Sequence, residues 1–109
     1  MSESLSVLLR EYREAISQIM GEQLSRMILY GSYARGDFKK DSDMDIMILA
    51  DIRPEEISNY ADRVYDVTYD FETRYGMEIN PSIQSVQTYE QWKKVSPFYI
   101  NVEKDGVAV

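Results

Sequence analysis

The chain has 109 residues, with 12 Lys and Arg against 19 Asp and Glu, a formal net charge of −7, and neither His nor Cys. Those two absences exclude disulfides, zinc–thiolate sites, thiol nucleophiles and every catalytic couple built on imidazole. The acidic balance argues against nucleic-acid binding driven by bulk charge, although Arg35, Lys39 and Lys40 form a local basic patch. Any metal would be a hard cation held by oxygens, Mg²⁺ or Mn²⁺. A chain of this length is expected to fold as one domain, residues 1–109, and to bury roughly 65% of its unfolded surface. No apolar run approaches the ~20 residues of a membrane span. No basic head precedes an apolar stretch at the N-terminus. The expectation is a cytoplasmic protein without a membrane partner.

Leu5, Leu8, Leu9, Tyr12, Ile16, Ile19 and Met20 recur at helical spacing and predict an amphipathic helix that stops at Gly21. Met27-Ile28-Leu29-Tyr30 is a short apolar run ending at Gly31-Ser32, which predicts a buried strand feeding a tight turn. Met44 to Leu49 predicts a second strand. Its alternation puts Asp43, Asp45 and Met47 on one face and Met44, Ile46 and Ile48 on the other.

Pro54 suits the first turn of a helix that runs through Ile57, Tyr60, Ala61, Val64, Thr68, Phe71 and Tyr75, with Gly76 as its cap. Met77 to Gln84 predicts a third strand with Glu78, Asn80 and Ser82 on one face, and Pro81 marks an edge or a bulge. Thr88-Tyr89-Glu90-Gln91 fits a capping box for a short helix that ends before Pro97. The tail from Phe98 predicts further helical turns. The fold class is α/β or α+β: a small mixed sheet of three or four strands with helices on one face.

The chemistry concentrates between residues 27 and 49. Gly31 lets the backbone turn sharply and approach a ligand. Ser32 opens a short helix whose N–H groups, with the hydroxyl, suit an anion. After ten intervening residues the chain carries Asp43 and Asp45, two apart and on one strand face. Adjacent carboxylates repel unless a cation lies between them. A divalent metal beside an anion site points to a nucleoside triphosphate.

The string Tyr30-Gly31-Ser32-Tyr33-Ala34-Arg35-Gly36 … Ser42-Asp43-Met44-Asp45-Ile46 resembles the signature of the DNA-polymerase-β-like nucleotidyltransferase superfamily, and in particular its minimal bacterial members. Many of those are antitoxins paired with a HEPN-domain RNase toxin. The resemblance implies the nucleotidyltransferase fold. It implies that Asp43 and Asp45 bind two Mg²⁺ ions, with Mn²⁺ as the alternative. It implies that Gly31 and Ser32 grip the phosphates of ATP or another nucleoside triphosphate. A third carboxylate usually completes the metal site and helps deprotonate the acceptor hydroxyl. Glu78 stands at the matching strand, where the family most often has Asp, and Asn80 lies on the same face. Arg35 is a candidate to neutralise phosphate charge, against the plainer role of an ion pair with Asp37 or Asp41. Tyr30 and Tyr33 flank the glycine turn and are candidates to line a base pocket.

Larger family members attach a further domain that binds the acceptor, whereas about two dozen residues follow the third strand here. The expected acceptor is therefore a hydroxyl of a partner protein, on the resemblance a tyrosine of a HEPN-type RNase, adenylylated and silenced. The alternative is a non-catalytic module that binds nucleotide or toxin and neutralises its partner by contact. Phosphatases and sugar transferases also carry Asp-x-Asp, but there the apolar strand usually precedes the first Asp. Here Lys39-Lys40-Asp41-Ser42 precedes it. The sequence leaves the oligomeric state and the base preference open.

Overall fold

Leu8, Leu9, Tyr12, Ile16 and Met20 fall on one side of helix α1 (Glu3–Met20), and all five are buried in the computed structural model, which describes residues 2–109. Burying side chains of this size is worth about 1.5–3 kcal/mol each relative to leaving them in water. Helix α3 (Ser58–Tyr75) contributes Val64, Thr68 and Phe71 to the same layer, after a single 3₁₀ turn at Pro54–Glu56. The two helices meet at Tyr12, whose ring stands edge-on to Phe71 at 5.3 Å. The Thr68 hydroxyl spends its one hydrogen on the Val64 carbonyl at 2.7 Å. The Tyr12 hydroxyl therefore donates to Thr68 Oγ1, also at 2.7 Å. Burial pushes the Tyr12 pKa up to about 12.

Four strands form one sheet in the order β3-β2-β1-β4. Strands β1 (Leu24–Tyr30) and β2 (Met44–Ala50) are antiparallel, and β3 (Ile79–Ser85) lies parallel to β2. The central β2 is buried on both faces. Its even members Met44, Ile46, Ile48 and Ala50 join Met27 and Leu29 under α1 and α3. Met47 and Leu49 join Ile28 on the opposite face, under Tyr89 and Val102. This double burial explains why residues 46–50 read as an unbroken apolar run.

Tyr89 and Val102 belong to the two short helices α4 (Val86–Trp92) and α5 (Pro97–Asp105). The expectation of helices on one face thus holds for the two long ones and is corrected for the C-terminal pair, which covers the other face. Helix α4 also starts earlier than the Thr88 capping box predicts. It follows β3 directly, with Ser85 in the N-cap position. β3 begins at Ile79 rather than Met77, and Pro81 sits on this edge strand as expected, opposite Ile46.

The tail is helical as expected through Asp105 and departs from that expectation only at its end. After α5 it turns at Gly106 and forms β4 (Val107–Ala108), antiparallel to β1 through Leu29↔Val107 and Ile28↔Ala108. A Cβ at residue 106 would collide with the Val102 carbonyl oxygen and with Ile28 Cγ2. The Val109 N–H donates to the Met27 carbonyl at 3.1 Å, and Arg13 Nη1 donates to the Val109 carbonyl at 3.0 Å. Among the described residues no helix is long and apolar enough to cross a membrane.

Candidate active site

The C-terminal end of β1 meets the N-terminal ends of β2 and β3 at one edge of the molecule. β1 ends at Tyr30, and Gly31 follows at φ +76°, ψ −154°, a conformation that side chains beyond glycine rarely adopt. The next four residues make a single helical turn, α2 (Ser32–Arg35). The Ser32 carbonyl accepts the N–H groups of Gly36 and Asp37 at 2.9 and 3.1 Å, which closes the turn. The chain returns through a second tight turn. There the Lys39 N–H donates to Ser42 Oγ at 2.8 Å and the Ser42 N–H donates to the Lys39 carbonyl at 3.1 Å.

Register then aligns the candidate residues. Tyr30 lies opposite Asp45 across the antiparallel pair, and Asp45 lies opposite Asn80 across the parallel pair. One step before the strands begin, Asp43 and Glu78 continue that register. The Met44 N–H donates to the Glu78 carbonyl at 2.9 Å, and the Ile79 N–H donates to Glu72 Oε2 at 2.9 Å, so the backbone around Glu78 is tied on both sides. The Asp43 carboxylate is close enough to accept a hydrogen bond from the Glu78 carboxyl. That contact, with the charge of Asp43 behind it, holds Glu78 above the usual carboxylate range.

Asp45 is held differently. Its Oδ1 accepts a hydrogen bond from Asn80 Nδ2 at 3.1 Å. Its Oδ2 lies against the Gly31 backbone, where a Cβ at residue 31 would sit only 2.5 Å from it. Burial and the Asp45 charge together push the Tyr30 pKa up. The Tyr30 ring stands edge-on to Phe98 of α5 at 5.7 Å.

Asp43, Asp45, Glu78 and Gly31 therefore lie along one edge of the sheet. The three carboxylates do not converge on a single point. Among the described residues no group of three or more acidic side chains is gathered closely enough to enclose an ion. The spacing along the strand accounts for it: Asp45 lies two register positions beyond the Asp43–Glu78 pair. The donor set still suits a hard divalent cation. It offers carboxylate oxygens, the donors such ions take.

Arg35 is engaged rather than free. Its Nε lies 3.3 Å from Asp37 Oδ2, as the plainer reading expects, and its Nη1 lies 3.8 Å from Asp105 Oδ2. The tyrosines part company. Tyr30 belongs to the Asp45 face, whereas Tyr33 stacks on Phe38 at 4.2 Å and lines a 260 Å³ apolar cavity with Leu5, Leu8, Tyr75 and Met77. The two rings thus meet different neighbours. Asp105, Phe98 and the tether from Asn80 to Asp45 escape the sequence reading. Only Asn80 left a trace there, since the alternation of the third strand sets it on the same face as Glu78.

Comparison with known proteins agrees with this fold. The family described as nucleotidyltransferase domain matches residues 9–106. A protein of Methanocaldococcus jannaschii, provisionally named a protein adenylyltransferase, is 33% identical over 102 residues, spanning 94% of this chain and 95% of that protein. The solved structure of a provisionally named minimal nucleotidyltransferase superposes with a TM-score of 0.57 at 19% identity, over 96% of this chain and 95% of the other. A chain from the complex of tri-AMPylated Shewanella oneidensis HEPN toxin with MNT antitoxin superposes with a TM-score of 0.54 at 11% identity, over 94% of this chain and 69% of the other.

Proposed function

The chain belongs to the nucleotidyltransferase domain family, and from that premise we propose that it transfers AMP from ATP to a hydroxyl of a partner protein. The observation that carries the proposal is the register itself. It sets Asp43 beside Glu78 and presses Asp45 against the Gly31 turn, so acidic and phosphate-approaching elements share one edge. The name of the M. jannaschii relative supports adenylyl transfer to protein, and the tri-AMPylated HEPN complex of similar fold supports a HEPN-type RNase toxin as acceptor.

In this mechanism the Gly31 turn admits the triphosphate close to the backbone, and the Ser32 hydroxyl donates to a phosphate oxygen. Arg35 exchanges one of its carboxylate partners for phosphate. Asp43, Asp45 and Glu78 would hold Mg²⁺, which when bound supplies charge neutralisation on the triphosphate and on the oxygens that gain charge in the transfer. Glu78 takes the proton of the acceptor hydroxyl, whose oxygen bonds to the α-phosphorus as pyrophosphate leaves in line. A tyrosine is the acceptor that the family resemblance favours.

A contact-only antitoxin is favoured by one observation, the incomplete convergence of the three carboxylates. One assay separates the two readings. Incubation with Mg-ATP labelled at the α-phosphate and a co-expressed HEPN-type partner should add label and the mass of one or more AMP groups to that partner. An inhibited but unlabelled partner overturns transfer and leaves contact.

A further inference from the structure

The Asp45 carboxylate is the most constrained of the candidate ligands, and both constraints come from outside its own strand. Gly31 closes one side, leaving no room for a Cβ next to Oδ2. Asn80 closes the other, with Nδ2 at 3.1 Å from Oδ1. A carboxylate only accepts, so the amide nitrogen and not the amide oxygen must face it. The contact spans 35 residues of sequence and exists because β3 is parallel to β2 in the register Asp45↔Asn80. Asn80 is itself exposed, and its neighbours Ile79 and Pro81 carry the packing of that stretch: Ile79 is buried in the core and Pro81 half-buried. An exposed amide in an edge strand adds little to folding. Its one specific act is to fix the direction of a carboxylate.

We infer that Asn80 is a positioning residue: by donating to Asp45 Oδ1 it holds the Asp45 carboxylate against the Gly31 turn with Oδ2 ready for a cation. This rests on the proposal that Asp45 is a ligand. It assigns Asn80 a role distinct from that of a third ligand or a base, since its amide is neutral and faces Asp45. Partners that orient a ligating carboxylate change metal affinity about 10- to 100-fold when removed.

The test is Mn²⁺ binding to the full chain without nucleotide, followed by electron paramagnetic resonance, with the melting temperature measured in parallel. Asn80→Ala should weaken Mn²⁺ binding about 10-fold or more while the melting temperature stays that of the wild type. Asn80→Gln, which keeps a donor one methylene further out, should recover part of the loss. Asp45→Asn is the reference and should abolish high-affinity binding. If Asn80→Ala binds Mn²⁺ as tightly as the wild type while Asp45→Asn does not, the positioning role is overturned and the metal centre stands. If Asp45→Asn also binds normally, or the wild type binds no Mn²⁺, the reading of the centre falls and the inference with it. Equal losses in Asn80→Ala and Asn80→Gln accompanied by lower melting temperatures would make the residue structural and also overturn the proposal.

Discussion

Arg35 and Asp105 face each other at 3.8 Å across 70 residues of sequence, joining the one-turn helix after Gly31 to the end of α5. Both groups are partly solvated, so the pair contributes little to stability. Its effect is on availability, because Asp105 competes with any phosphate for the same guanidinium. Asp105→Asn should tighten ATP binding several-fold, and Arg35→Ala should weaken it with a change in stability below about 1 kcal/mol. Titration calorimetry with Mg-ATP checks both. An Arg35→Ala variant that binds ATP as the wild type does would remove Arg35 from the phosphate site.

Gly31→Ala should be inactive. The added methyl group would lie 2.5 Å from Asp45 Oδ2, and the φ of +76° is strained for alanine. The expected cost is about 1–3 kcal/mol in stability, together with loss of transfer well beyond what that destabilisation explains. Denaturant unfolding and a labelled-ATP assay at a temperature where the variant is fully folded separate the two effects.

Asp43→Asn and Asp45→Asn should each abolish transfer and leave the fold intact, since each removes a charge from an acidic edge. Glu78→Gln should retain nucleotide binding and lower the rate about 10²- to 10⁴-fold, the range for loss of a general base. Melting temperatures at or above that of the wild type are expected for all three. Wild-type transfer by either aspartate variant would refute the assignment.

Tyr12 and Tyr89 should behave oppositely when cut to Phe. The Tyr12 hydroxyl donates to Thr68 inside the core, so Tyr12→Phe should cost about 0.5–1.5 kcal/mol. The Tyr89 hydroxyl is buried with no hydrogen-bond partner among the described residues. Tyr89→Phe should therefore be neutral or stabilising. Denaturant midpoints decide.

The same two tyrosines set an alkaline limit. Burial pushes both Tyr12 and Tyr89 up to about 12. A pKa raised by folding means that the folded state holds its proton more tightly. Stability from these groups is complete below the unfolded tyrosine value near 10 and drains away as pH rises from there through about 12. Absorbance of tyrosinate should show these two rings ionising last, together with unfolding.

The elements carried by local patterning were legible in the sequence. The stripe from Leu8 to Met20, the run Met27 to Tyr30 and the alternation around Asp43 and Asp45 each announce themselves within one segment. Gly31-Ser32 and the paired aspartates were legible because turn chemistry and spacing are local facts. What escaped is set by register and distance. β4 is two residues long, and its identity comes from pairing with Ile28 and Leu29, some 80 residues earlier in the chain. The contact of Asn80 with Asp45 follows from a parallel register that no local pattern encodes. That the two C-terminal helices cover the second face was missed because β2 hides its double burial inside one apolar run. Glu78 became a candidate through the family resemblance, which points to that strand, even though β3 starts one residue after it.

The two borders of the sheet are unlike its interior, and this matters in a crowded cell. One border is β3, where Pro81 offers no N–H to an incoming strand. The other is β4, a strand of two residues that ends the ladder almost as soon as it starts it. Neither border is a good template for another extended chain. The protein can therefore keep a central strand as apolar as Ile46-Met47-Ile48-Leu49 without inviting copies of itself to stack into fibrils.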